Sequence, residues 1–255
     1  MIRALVIALT VLQSATVLAQ ETVVTGLSTE NIALNATFNG SQLFVFGAIR
    51  RTAPPPADAG PLDVIITVKG PVKPITVRRK ARMFGIWVNE AAVGVRESPS
   101  FYAIATTRPL SDLLTETERL RYGIGMDQAV RRVESHPGLT DTQPFAEALV
   151  RLREHAGLYE QLDGAVSLAE DTLFQTEIEL PANIVEGDYA AEFFLVRDRA
   201  VVSSGNATIV VEKTGIERWL YNLSQQQPLI YGILSVVLAL AAGWLAATAF
   251  RLARR

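Results

Sequence analysis

The last stretch of the chain, "QPLIYGILSVVLALAAGWLAATAFRLARR", restricts the fold more than any other segment, because no charged residue falls between Arg218 and Arg251. Leu229 to Phe250 is 22 residues. As a helix this is about 33 Å long, which matches a hydrocarbon core of roughly 30 Å. A helix apolar on every face over that length has no side to turn toward water, so a membrane crossing is expected at residues 228–250. Pro228 suits a first helical turn. Trp219 and Tyr231 suit one membrane interface, and Trp244 lies nearer the other.

Arg251, Arg254 and Arg255 follow the apolar run. The positive-inside rule therefore places the tail, residues 251–255, in the cytoplasm. The chain opens "MIRALVIALTVLQSATVLAQET", with Arg3 ahead of an apolar stretch and with Val17 and Ala19 at the −3 and −1 positions of a cleavage site. Residues 1–19 read as a secretory signal peptide, too short to span a bilayer. The two ends imply the same topology independently. Residues 20–213 form an exported domain, residues 214–227 a juxtamembrane segment, and one C-terminal helix the anchor.

The exported part holds enough residues for a substantial core. It contains no cysteine, which excludes a disulfide scaffold, a thiol redox centre and a cysteine metal site. Of the 24 Lys and Arg, Arg3 and the arginines at 251, 254 and 255 lie outside it. That leaves 20 against 26 acidic residues, a balance near −6. A generally basic nucleic-acid binder is excluded on that balance and on the compartment.

Strand patterns dominate the domain. Ile32, Leu34, Ala36 and Phe38 alternate ahead of Asn39-Gly40 and an apolar run from Leu43 to Phe46, which predicts a β-hairpin with a type I′ turn. "RRTAPPPADAGP" is a loop. "LDVIITVKG", "ITVRRKARMFGIWVN" and "SFYAIATT" read as strands. "TLFQTEIELPANI" alternates Phe174, Thr176, Ile178 and Leu180 against polar neighbours. "GDYAAEFFLVRDRAVVSSGNATIVVEK" reads as a second hairpin with Tyr189, Ala191, Phe193 and Leu195 inward. Between about 110 and 160 the pattern turns helical. Ser111 is a candidate cap for a helix with Leu113, Leu114, Thr117 and Leu120 on one face. A second helix from about Pro144 to Ala156 carries a Phe145, Leu149, Leu152 stripe and stops at Gly157. The fold expected is mainly β: an immunoglobulin-like β-sandwich in the periplasm with a helical insertion at about 110–160, followed by a single transmembrane helix.

Motifs of catalysis are missing. There is no G-x-S-x-G, P-loop or H-E-x-x-H. "YGIGMD" lacks the third glycine of a dinucleotide fingerprint. The two histidines, His136 and His155, read as solvated, and Glu177 and Glu179 share the outer face of a strand. No catalytic, cofactor or metal-binding residue is assigned, and the chain is not expected to be an enzyme. The one charged cluster is "VRRKARMFGIWVN". Arg78, Lys80 and Arg82 share a strand face and form a candidate surface for an anionic partner. Arg79 would then face the core, a conflict that a bulge or an edge position would relieve. Trp87, between Ile86 and Val88, is expected in the core.

"FNGSQLFVFGAI", "VKGPVKPITVRRKARMFGIWVN", "TRPL", "FAEALVRLREHAGLY", "LFQTEIELPANIVEGDYAAEFFLVRD" and "KTGIERWLYNLSQQQPLIYG" together resemble the Alph_Pro_TM family of alphaproteobacterial transmembrane proteins. The resemblance spans nearly the whole mature chain and departs from the expected pattern in "TTRPL", where an asparagine should precede the arginine. It implies an inner-membrane protein of a Gram-negative bacterium and no catalytic residues. It also implies a gene lying near those of sulfite-exporter-like transporters. The leading expectation is a non-enzymatic periplasmic binding or interaction module at the inner membrane, with the membrane and a membrane protein as partners. The alternative is an accessory subunit of a transporter.

Overall fold

The computed structural model describes residues 21–29, 31–34, 38–52, 59–133, 141–213 and 216–253. The expected signal peptide, most of the proline-rich loop and His136 lie outside the described residues. Among the described residues seven strands come first: β1 (Glu21–Leu27), β2 (Asn31–Leu34), β3 (Ser41–Arg51), β4 (Asp63–Lys69), β5 (Val72–Met83), β6 (Ile86–Pro99) and β7 (Tyr102–Thr106). Three short helices follow, α1 (Leu110–Leu113), α2 (Glu116–Tyr122) and α3 (Met126–Ala129). Strand β8 (Arg131–Val133) and helix α4 (Gln143–His155) come next. Strands return as β9 (Tyr159–Leu162), β10 (Ser167–Ala169), β11 (Leu173–Leu180), β12 (Gly187–Arg197) and β13 (Ala200–Lys213). Helices α5 (Ile216–Gln226) and α6 (Pro228–Ala253) end the chain. The protein is mainly β with few helices.

Two sheets face each other, one ordered β1-β3-β11-β10 and the other β2-β13-β12-β4-β7-β9. Their inner faces are built by alternation. Phe174, Thr176, Ile178 and Leu180 of β11 are buried while the residues between them are exposed. Tyr189, Ala191, Phe193 and Leu195 of β12 are buried opposite. The Phe174 and Phe193 rings meet across the interior at 5.9 Å. Gly47 leaves room for the Phe174 ring, since a Cβ there would sit 2.3 Å from it. Strand β4 is buried on both faces, Ile65 and Thr67 as fully as Val64 and Ile66. The further face belongs to the helical layer, where Tyr122 of α2 packs edge-on against Phe194 at 5.6 Å.

Polar clamps hold the margins. Glu21 Oε1 accepts from Arg51 Nε at 2.9 Å and from Arg197 Nη2 at 2.8 Å, which joins β1, β3 and β12 at a carboxylate only 7% exposed. Asp63 accepts from Thr107 Oγ1 at 2.7 Å and from Arg108 Nε at 3.0 Å. Thr107 is the position where the family resemblance leads one to expect asparagine, and its hydroxyl also accepts from the Val64 N–H at 3.3 Å.

Four local expectations are corrected. Asn39-Gly40 does not close a hairpin. Strand β2 pairs in parallel with β13 and β3 pairs with β1 and β11, so the segment crosses between sheets. Gly40 (φ +110°) brings the chain against the Leu180 carbonyl, where a Cβ would sit at 2.9 Å. Ser111 is not a helix cap. The chain breaks at Leu114, and Thr115 caps α2 by accepting from the Glu118 N–H at 3.3 Å. Leu113 and Leu114 are buried as expected, but Leu120 is exposed. On α4, Phe145 and Leu149 are buried while Leu152 is 63% exposed. That stripe is two residues wide because α4 packs on β9, β5 and α3 along one edge only. Gly157 (φ 67°) does stop the helix.

Candidate functional site

The segment carrying the basic cluster is half of a long ribbon. Strands β4 and β7 pair as far as Lys69↔Tyr102. The Gly70 N–H then donates to the Phe101 carbonyl at 2.8 Å, and the Ser100 N–H to the Pro71 carbonyl at 3.0 Å. Pairing resumes at Val72↔Pro99 and runs to Met83↔Ile86, with a first register slip at the base between Lys73 and Ile75. One continuous antiparallel ribbon thus grows out of the six-stranded sheet, with β5 as its free edge in the order β5-β6-β8.

The ribbon has two unlike faces because cross-strand partners share a side and neighbours alternate. Arg78, Lys80 and Arg82 line one face, and Arg82 lies directly across from Trp87. All three cations are exposed, and among the described residues none is ion-paired. Val77 and Val93 are buried on the other face near the base. Arg79 falls on that second face, and the expected relief is present. The register slips between Arg79 and Lys80, leaving Glu90 as the extra residue of a bulge in β6. Arg79 Nε donates to Glu90 Oε2 at 3.0 Å, and its guanidinium lies 5.8 Å from the centre of the Phe145 ring on α4. Arg79 is therefore occupied within the fold, whereas Arg78, Lys80 and Arg82 are not.

Trp87 is not in the core, contrary to the sequence expectation. It is 69% exposed, with Ile86 at 65%, Met83 at 50% and Phe84 at 103%. Among the described residues no third layer covers the ribbon at this distance from the sheet, so its apolar end is exposed. Phe84 (φ 51°) and Gly85 (φ 87°) form the two-residue turn at the tip, both left-handed, a geometry that suits the twist of a hairpin. Asn or Asp normally takes the first of these positions. A bulky side chain held there loses roughly 1–2 kcal/mol to steric contact with its own backbone. The strain is not offset by any burial of Phe84. The signal that could have revealed the arm is the Phe84-Gly85 pair itself, an X-Gly turn inside what reads as one uninterrupted strand.

Other surfaces are less developed. The outer face of the four-stranded sheet has a groove of about 640 Å³ lined by Val24, Phe44, Phe46 and Leu173, without a convergent polar group. A second cleft of about 630 Å³ carries Glu154, Glu160 and Glu179 at its rim. Glu177, Glu179 and His155 are exposed. Among the described residues no group of three His, Cys, Asp or Glu side chains could hold a metal ion.

Helix α6 is the one described helix long and apolar enough to cross a membrane, over Pro228–Ala249 with a mean hydropathy of 2.2. Trp219 and Tyr221 on α5 are exposed beside it. A comparison with curated proteins finds no match. The family model described as Putative transmembrane protein (Alph_Pro_TM) matches residues 22–252. That span takes in the two sheets, the ribbon and the apolar helix, and the chain belongs to the Alph_Pro_TM family.

Proposed function

We propose that this chain is a non-enzymatic interaction module, exported to the periplasm and held at the bacterial inner membrane by α6, and that the β5–β6 ribbon is the part that engages its partner. The carrying observation is the tip. A fold gains nothing from a fully exposed phenylalanine in a left-handed turn, so the residue is explained by what it meets outside the fold. The arginines at 251, 254 and 255 support a cytoplasmic tail and a periplasmic sandwich.

The sandwich reads as immunoglobulin-like. Its strand orders, β1-β3-β11-β10 and β13-β12-β4-β7, follow the A-B-E-D and G-F-C-C′ arrangement of that fold in correct chain order. Tyr189, near the start of the strand equivalent to F, donates its hydroxyl to the Val185 carbonyl at 2.8 Å and accepts from the Val185 N–H at 3.2 Å. This is the bond pattern of a tyrosine corner. In those terms the ribbon is the C–C′ hairpin drawn out beyond the sandwich.

The test is photo-crosslinking in cells. The full chain carries the crosslinking amino acid at Phe84, or at Glu177 on the far sheet as a control. Adducts to protein or to lipid, specific to position 84, are expected. Equal or absent labelling at both positions overturns the reading. An adduct with a transporter would make the chain an accessory subunit.

A further inference from the structure

We propose that the tip of the β5–β6 ribbon inserts into the anionic phospholipid surface of the membrane that α6 crosses. The chain would then be attached at two points. This deepens the interaction-module reading and rests on it, by naming the partner as lipid.

The first argument is direction. Strands β4 and β13 both run antiparallel to β12, with Lys69 opposite Ala190 and Val211 opposite Gly187. The ends of β4 and β13 therefore lie at the same end of the sheet. From that end β13 continues toward α5 and α6, and β4 continues into the ribbon. The arm leaves the body on the side where the chain leaves for the membrane.

The second argument is reach. Val72 to Met83 spans 12 residues, which at about 3.3 Å per residue extends roughly 36 Å. The link toward α6 is mainly α5, 11 residues, or about 16 Å as a helix. The arm is long enough to meet a surface that the link holds within that distance. The tether also keeps this surface at high effective concentration at all times.

The third argument is chemistry. Phe84, Trp87, Ile86 and Met83 are the exposed end of the ribbon, and Trp is favoured at the headgroup boundary. Behind them Arg82, Lys80 and Arg78 step back on one face at strand spacing, about 6.6 Å apart. Apolar side chains leading and cations following is the order needed to enter an interface lined with phosphates. The exported part is otherwise acidic, so a bilayer of negative charge repels the body and attracts this face.

The chain has no cysteine, so one introduced thiol carries a unique label. Met83→Cys keeps both tip aromatics. The full chain bearing a polarity-sensitive fluorophore there is placed in nanodiscs of phosphatidylcholine with phosphatidylglycerol and a nitroxide headgroup lipid. A blue shift and quenching are expected at position 83 and not at Glu177→Cys. Both signals should fall to the control level in Phe84→Asn/Trp87→Asn and in Arg78→Glu/Lys80→Glu/Arg82→Glu, and weaken without phosphatidylglycerol. Phe84→Cys is a second label site should Met83→Cys misfold. Quenching equal to that at position 177 overturns the proposal, as does quenching indifferent to lipid charge and to the triple substitution. If a photo-crosslinker at Phe84 captures protein while the label stays unquenched, lipid is wrong and the interaction module stands. No adduct and no quenching overturn both.

Discussion

Phe84 shows how a single residue can work against its own fold. Its φ of 51° suits Asn or Gly, and relieving it should raise stability by about 1 kcal/mol. Denaturation of the full chain in detergent should therefore show Phe84→Asn more stable than the parent, while crosslinking from the neighbouring Trp87 is lost. A less stable Phe84→Asn would mean that the ring makes a contact within the fold. Tyr189 acts in the opposite sense. Burial, the largest cause, raises its pKa above the ordinary 10.0, and Tyr159 shifts the same way for the same reason. The unfolded chain thus releases these protons at lower pH than the folded one. Their contribution to stability is intact below about pH 10 and declines as pH rises toward the folded values. Tyr189→Phe should lower stability at neutral pH by about 1–3 kcal/mol, because the Val185 amide and carbonyl lose their partner. It should also make the decline above pH 10 shallower. A slope unchanged from the parent would count against a buried, neutral Tyr189.

Element by element, the residues that matter are those whose neighbours come from elsewhere in the chain. On α4 Leu149 is 3% exposed and Leu152 63%. Leu149→Asp should cost several kcal/mol by burying an unpaired carboxylate, and Leu152→Asp should stay within about 0.5 kcal/mol of the parent. Thermal melts of the two variants check this, and equal melts would remove α4 from the core. Strand β11 and the β12–β13 hairpin were legible in the sequence, because alternation is strict in β11 and holds over the first half of β12, and the Asp198-Arg199 turn is local. The Asn39-Gly40 segment departs from its hairpin pattern because β2 pairs with β13, far along the chain, while β3 sits between β1 and β11 in the other sheet. No local pattern records that pairing. Trp87 was misread for a related reason. Ile86, Trp87 and Val88 are consecutive apolar residues, and consecutive apolar residues describe a buried strand as well as the end of an arm. The basic face of Arg78, Lys80 and Arg82 was readable from alternation, and so was the need for a bulge beside Arg79. That the arm would outrun its sandwich was not readable, since it depends on where the second layer stops.

For the whole molecule, the proposed two-point attachment requires the ribbon and the sandwich on one side of the bilayer and the tail on the other. Nothing in the stretch from Pro228 to Phe250 itself selects a direction, because it carries no charged residue. The selection must come from what flanks it. On one side stand the arginines at 251, 254 and 255, with no acid after Glu217 to oppose them. On the other, in the proposed topology, stands a body near −6 whose export would be set by residues 1–19 acting as a signal sequence before α6 is made. The two influences are separable. A reporter active only in the periplasm should be active when fused after Lys213 and silent when fused after Arg255. Replacing all three tail arginines by glutamate should leave the first fusion active, because export of the body depends on the signal sequence. It should raise the activity of the second, because tail retention depends on the positive charges. If the parent fusions report the reverse pattern, the ribbon faces the cytoplasm, and the two-point attachment to the periplasmic leaflet cannot hold.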